Sequence, residues 1–169
     1  MKTAFILTLV AALAGAAAQP ALAASTAPKT TPAALRAESP DRAQIQALIT
    51  QYGQALDAGD VDTIVSLYTA DGAVLAPNAP TAVGAQALHD SYVGTFQAIG
   101  LDIGFDIAEI HLLAPDWAYA RSTSSGTIRI VANGQVVPEA NQELFVLRKL
   151  RGAWKIARYS FSTTLPATN

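Results

Sequence analysis

Residues 101–112 read LDIGFDIAEIHL, and the reading of the fold turns on them. Leu101, Ile103, Phe105 and Ile107 alternate with Asp102, Gly104 and Asp106, the period of two that a half-buried strand requires. The apolar set then resumes at Ile110 and Leu112 on the opposite parity, the slip that a β-bulge produces in a bent strand.

Upstream of this stretch the period is helical. Ser39-Pro40-Asp41 supplies an N-cap followed by a proline in the first turn, where its missing N–H costs nothing. Ile45, Leu48, Ile49, Tyr52, Ala55 and Leu56 then recur as one buried stripe. Asp57-Ala58-Gly59 stops that helix, and Asp60 caps a second one carrying Val61, Ile64, Val65 and Tyr68. Asp71-Gly72 signals a turn, residues 73–76 a short strand ended by Pro77 and Pro80, and residues 85–99 a third helix with Leu88, Tyr92, Phe96 and Ile99 on one side.

Downstream the chain keeps the strand period. Pro115-Asp116 turns it into residues 117–131, Asn133-Gly134 is a hairpin signal, and Arg151-Gly152 is a weaker one before residues 154–163. Helices first and strands after predict an α+β domain with three N-terminal helices packed on one face of a bent antiparallel sheet.

At 169 residues, 51% hydrophobic and 14% charged, the chain has the composition of one folded core. The net charge of −2 without a basic run argues against nucleic acid as a partner, and the absence of cysteine removes disulfides, thiolate metal sites and a thiol nucleophile. Lys2, an apolar stretch over residues 4–18 and then Ala21-Leu22-Ala23 have the form of a signal peptide over residues 1–23. Residues 24–39, rich in Ala, Thr and Pro, form a flexible tether, and the folded domain spans residues 40–165. The expected location is periplasmic or secreted, with no membrane anchor once the signal is cleaved.

Three stretches, QALDAGDVDTIVSLYTADGAVLAPNAP (54–80), DWAYARSTSSGT (116–127) and ELFVLRKLRGAWKIARYSFS (143–162), resemble the nuclear transport factor two-like superfamily. More narrowly they resemble its SnoaL-like group and the SgcJ/EcaC-type proteins within it. The resemblance implies a cone-shaped fold, commonly dimeric through the outer face of the sheet. Its members include isomerases, dehydratases, cyclases and plain binding domains, so the likeness speaks for the fold and leaves the activity open.

Hairpin register sorts the strand residues into faces. With two-residue turns at Asn133-Gly134 and Arg151-Gly152, Ser124 falls opposite Glu143, Ser122 opposite Phe145, Phe145 opposite Arg158 and Glu143 opposite Ser160. The inner face then carries Leu147, Trp154 and Ile156 at an apolar end. Its polar end is Ser122, Ser124, Asn141, Glu143, Arg158 and Ser160, joined in a ligand pocket by Phe145 and by Tyr52, Tyr92 and Phe96 from the helices. Tyr119, Arg121, Leu144, Val146, Tyr159 and Phe161 fall on the outer face, a mixed apolar surface suited to a homodimer interface.

Within that pocket Glu143 is the candidate acid or base; the expected Glu143–Arg158 pair reads first as a structural ion pair, and in a binding protein it would orient a polar head group. His89 reads as a surface residue, and the facing of His111 is open. No metal-ligand spacing, phosphate-binding glycine loop, nucleophile elbow or dinucleotide fingerprint occurs, so neither metal nor cofactor is expected. The expectation is a binding domain for a small, mostly apolar molecule with one polar end. The alternatives are a cofactor-free isomerase, dehydratase or cyclase moving a proton with Glu143 or a nearby histidine as base and Tyr52 or Asn141 polarising an oxygen, and a protein-interaction domain without a ligand.

Overall fold

The computed structural model describes residues 39–166, so the expected signal peptide and all of the tether before Ser39 lie outside the described residues. Helix α1 (Pro40–Ala58) begins where Ser39 Oγ accepts from the Arg42 N–H at 3.3 Å. It ends at Gly59, whose left-handed φ of 65° would strain any side chain. Helix α2 (Val61–Ser66) starts on Asp60, which accepts from the Thr63 N–H at 3.0 Å. Then come strand β1 (Tyr68–Leu75), the short β2 (Ala82–Val83), helix α3 (Ala85–Ala98) and the long strands β3 (Ile99–Ala114), β4 (Trp117–Ile130), β5 (Val136–Leu150) and β6 (Ala153–Thr163).

The strands form one sheet in the order β2-β1-β6-β5-β4-β3. The β3 to β6 meander is antiparallel, whereas β1 runs parallel to β6, so the sheet is mixed. The β3 bulge lies between Ile107 and Glu109, where the apolar phase slips. Two early elements differ from expectation. Tyr68 belongs to β1 rather than to the second helix, and Asp71-Gly72 is a bend inside β1 rather than a turn before it. A Cβ at Gly72 would lie 2.8 Å from the Tyr68 Cβ, so the bend itself requires glycine.

The core is the apolar stripe of α1 laid on the inner sheet face. Ile45, Ile49 and Tyr52 pack with Phe145, Leu147 and Ile156, all with at most 1% of their surface exposed. Fully burying each such side chain stabilises the fold by roughly 1.5–3 kcal/mol. The base of α1 is fixed by Asp41, whose Oδ1 accepts from Lys149 Nζ and, at 3.0 Å, from Trp154 Nε1.

The two hairpins settle the faces. Between β4 and β5 the loop holds residues 131–135, and Ser122 faces Glu143 and Ser124 faces Asn141, two residues away from the register of a two-residue turn. A shift of two keeps parity, and Ala118, Ala120, Ser122, Ser124, Asn141, Glu143 and Phe145 are all buried on one face. Between β5 and β6 the ladder starts as expected, from Leu150–Ala153 to Leu147–Ile156, and then shifts by one, pairing Val146 with Arg158 and Phe145 with Tyr159. Ala157 is the extra residue of this bulge. Beyond it every side chain of β6 changes face.

Candidate functional site

The β6 bulge decides what the inner wall holds. Tyr159 is 5% exposed and Phe161 half-buried, both turned inward, while Arg158 is exposed and Ser160 lies opposite the exposed Leu144. The expected Glu143–Arg158 pair therefore does not form. Arg158 Nη1 donates instead to the Asp71 carbonyl oxygen at 2.9 Å, and Nη2 stands 3.7 Å from the Asp71 carboxylate, binding the bend of β1 to the bulge of β6. Arg158 and Ser160 thus leave the expected pocket, and Tyr159 and Phe161 leave the expected interface, for one reason: a one-residue bulge inverts the strand.

A cavity of about 140 Å³ opens between α1, α3 and the inner sheet face. Tyr52 and Tyr92 line it from the helices, Asn141 and Glu139 from β5, and Tyr159 and Phe161 from β6. Leu101, Ile103, Ile128 and Val74 complete a mostly apolar wall. Gly126 lies between Ile103 and Glu139 in the ladder, and a Cβ there would fall 2.1 Å from the Asp102 carbonyl oxygen. Glycine thus lets β3 close tightly against β4 at the cavity floor.

The tyrosines form a chain of hydroxyls. Tyr92 lies 2.7 Å from Tyr52 and 2.8 Å from Tyr68, oxygen to oxygen. Two hydrogen bonds join three hydroxyls, so one proton is left over for another acceptor. Burial pushes the Tyr92 phenol up to about 12 and those of Tyr52, Tyr68 and Tyr159 well above their ordinary value, with the Glu143 carboxylate adding to the rise at Tyr159. All four stay neutral at physiological pH. They are hydrogen-bonding groups and not bases.

The carboxylates supply the charge. Glu143 is 3% exposed; its Oε2 accepts from Ser122 Oγ at 2.7 Å, and its Oε1 is buried without a partner, as is Ser124 Oγ. Asn141 Nδ2 donates to Glu139 Oε1 at 2.8 Å. A carboxylate only accepts, so this contact turns the amide oxygen of Asn141 away from Glu139. Among the described residues neither Glu139 nor Glu143 has a Lys, Arg or His within ion-pair distance.

Tyr52, Tyr92 and Asn141 thus meet at the cavity. Ser122, Ser124, Glu143 and Phe145 lie buried on the same sheet face, and Phe96 stacks on Tyr92 with ring centroids 6.4 Å apart. Glu139, Tyr159 and Phe161 were missed by the sequence reading. Asp57, read as a helix-end residue, accepts from the Ile103 N–H at 2.9 Å and so ties the end of α1 to β3. On the outer face His111 stacks on Tyr119 at 5.0 Å, and Arg121 donates to Glu109 at 2.7 Å. His111 therefore points away from the cavity, and His89 sits beside Asp90 on the surface of α3. No cluster of three or more metal-ligating side chains occurs among the described residues.

The family model described as a SnoaL-like domain matches residues 37–160. The chain belongs to the SnoaL-like family. A ketosteroid isomerase-like protein from Erwinia carotovora atroseptica SCRI1043 is 37% identical, covers 76% of this chain and 99% of its own, and superposes with a TM-score of 0.73. An NTF2-like protein with a cystatin-like fold from Novosphingobium aromaticivorans is 20% identical over 75% of this chain and 84% of its own, with a TM-score of 0.61. A conserved protein from Planctomyces limnophilus is also 20% identical, over 73% of this chain and 97% of its own, with a TM-score of 0.65. These likenesses establish the cone-shaped α+β fold for this SnoaL-like domain. No curated protein sequence matches the chain.

Proposed function

We propose that this SnoaL-like domain is an exported small-molecule-binding protein whose cavity holds one ring-sized, mostly apolar ligand with a polar group against Asn141 and Glu139. The observation that carries this reading is the cavity itself: about 140 Å³, walled by aliphatic and aromatic side chains, with Glu139 and Asn141 of β5 and Ser91 and Thr95 of α3 as its other polar groups. Cavities of roughly 150 Å³ accept a benzene-sized molecule. Export rests on the signal-like pattern of residues 1–23. The outer face supports a homodimer: Leu144, 44% exposed, pairs there with Arg121, and Val146 with Tyr119, a mixed apolar surface that a second copy would cover.

Native mass spectrometry of the full chain reads subunit count and bound mass together. The expected result is a dimer that releases a small molecule on collisional activation, with the mass lost in Ala76→Phe, which fills the cavity from its β1 side. Absence of a bound mass, together with no uptake of added single-ring compounds, overturns the reading.

One observation favours a second reading, a cofactor-free enzyme that moves a proton. Glu143 keeps a buried carboxylate oxygen without a partner on the sheet face that carries Tyr159, and the tyrosine chain has a proton to give an oxygen that gains charge. The likeness to the ketosteroid isomerase-like protein supports this class. Glu143→Gln separates the two: turnover lost with ligand affinity retained makes the domain an enzyme, and affinity lost alone leaves it a binder.

A further inference from the structure

We infer that the cavity is selective for a small protonated amine carried on an apolar ring, over the neutral alcohol or the carboxylate of the same shape. The inference rests on the reading of this cavity as a ligand site, and it adds the charge of the ligand. Three observations lead to it.

The first is an imbalance of charge. Glu139 lines the cavity and Glu143 is buried two positions along the same face of the same strand, yet among the described residues no cation lies within ion-pair distance of either. Among the described residues no Lys, Arg or His lines the cavity. The nearest basic residue of β6, Arg158, is turned outward onto Asp71 by the bulge. A carboxylate held in a partly desolvated wall without a counter-ion favours any cation that can enter beside it.

The second is the polarity of the hydrogen-bonding groups. Asn141 is 6% exposed, and its one side-chain hydrogen bond among the described residues uses the amide nitrogen on Glu139, which leaves its amide oxygen without a partner among them. The β5 end of the cavity therefore presents acceptors: the Asn141 oxygen and the second oxygen of Glu139. An ammonium group has three donors and no acceptor, which matches this set. A ligand carboxylate has only acceptors and would face the Glu139 carboxylate, with the second amide hydrogen of Asn141 and hydroxyls as its donors.

The third is the aromatic wall. Tyr52, Tyr92, Tyr159 and Phe161 surround the same space, and ring faces attract a cation once it is desolvated. The phenols stay neutral, so they add this attraction without adding a charge that titrates. The volume restricts the apolar part to a single ring.

The test is calorimetric titration of the full chain at pH 7 with benzylamine, benzyl alcohol and benzoate, repeated on Glu139→Gln. Benzylamine, protonated at this pH, is expected to bind about tenfold or more tighter than benzyl alcohol, and benzoate not to bind measurably. Glu139→Gln is expected to bring benzylamine to within about threefold of the alcohol measured in the same variant. Equal or tighter binding of benzyl alcohol in the wild-type chain overturns the charge inference and leaves the cavity as a ligand site. Binding of benzoate overturns it more directly. If none of the three binds, the inference fails together with the reading beneath it. Because the comparison within the wild-type chain stands alone, a Glu139 variant that fails to fold does not decide the outcome.

Discussion

The ladder between β5 and β6 has two halves that differ by one residue. From Leu150–Ala153 to Leu147–Ile156 it is regular, and its inner side chains, Leu147, Trp154 and Ile156, close the base of the core against α1. Beyond Ala157 the same two strands pair one residue out of step, and the inner side chains of β6 become Tyr159 and Phe161, which wall the cavity. The lower half makes stability and the upper half makes a site. What separates them is a bulge matched on the next strand, because β1 is irregular between Tyr68 and Ala73, and Arg158 reaches across to Asp71 there. The site exists because β6 breaks its own period once.

The strongest way to break this contrast is to put a charge where the bulge turns β6 inward. Tyr159→Arg would bury a guanidinium among Tyr52, Phe145 and Phe161. Burying a charge without a matched partner costs about 3–5 kcal/mol, so urea unfolding should show a loss of that size or no folded protein. A variant that unfolds at the wild-type urea midpoint contradicts the role given to the bulge.

A smaller effect is expected at the cavity floor. In Gly126→Ala the new methyl would meet the Asp102 carbonyl at 2.1 Å, and the backbone must open to admit it. Overpacking of this kind costs about 1–3 kcal/mol in the same unfolding experiment.

The lower half can be probed by pH. The hydrogen bond from Lys149, with that from Trp154, holds the Asp41 carboxyl below its ordinary value. A lowered folded-state value means that the stability Asp41 contributes is complete above its unfolded value and is lost as pH falls through the folded one. Wild type should therefore exceed Asp41→Asn in melting temperature near pH 6, and the difference should shrink as pH falls below the ordinary carboxylate range. A gap that persists unchanged at the acid end contradicts the ionic origin of the staple.

The smallest effect belongs to the β4–β5 loop. Gly134 has φ of 71°, so Gly134→Ala should cost about 1 kcal/mol and leave ligand binding unaltered, because the loop sets no side chain's face. Altered binding in this variant would show that the loop and the cavity are coupled.

Much of the architecture was legible because its signals are local. Ser39, Gly59 and Asp60 mark helix ends by their own backbone chemistry, and the phase slip from Ile107 to Ile110 disclosed the β3 bulge. The inner facing of Asn141 and Glu143 survived a mistaken loop length, since the error was even. The facing of Arg158, Ser160, Tyr159 and Phe161 did not survive, since the β6 error was odd. Its signal was present: Trp154 and Ile156 are followed by Tyr159 and Phe161, the same apolar slip as in β3. Turn-based register overrode it because a hairpin fixes only the residues near its own loop. Glu139 lay beyond reach for another reason. Its place at the cavity depends on Gly126 and Ile103, partners set by two successive registers.

The inversion at Ala157 can be measured directly because the chain has no cysteine of its own. Single cysteines placed at positions 158 and 159, labelled with a small thiol reagent in the folded protein, report which side chain meets solvent. The account predicts fast labelling of Arg158→Cys and strong protection of Tyr159→Cys until the protein unfolds. Protection at 158 with fast labelling at 159 would place the strand in the unbroken register and contradict the site described for this domain.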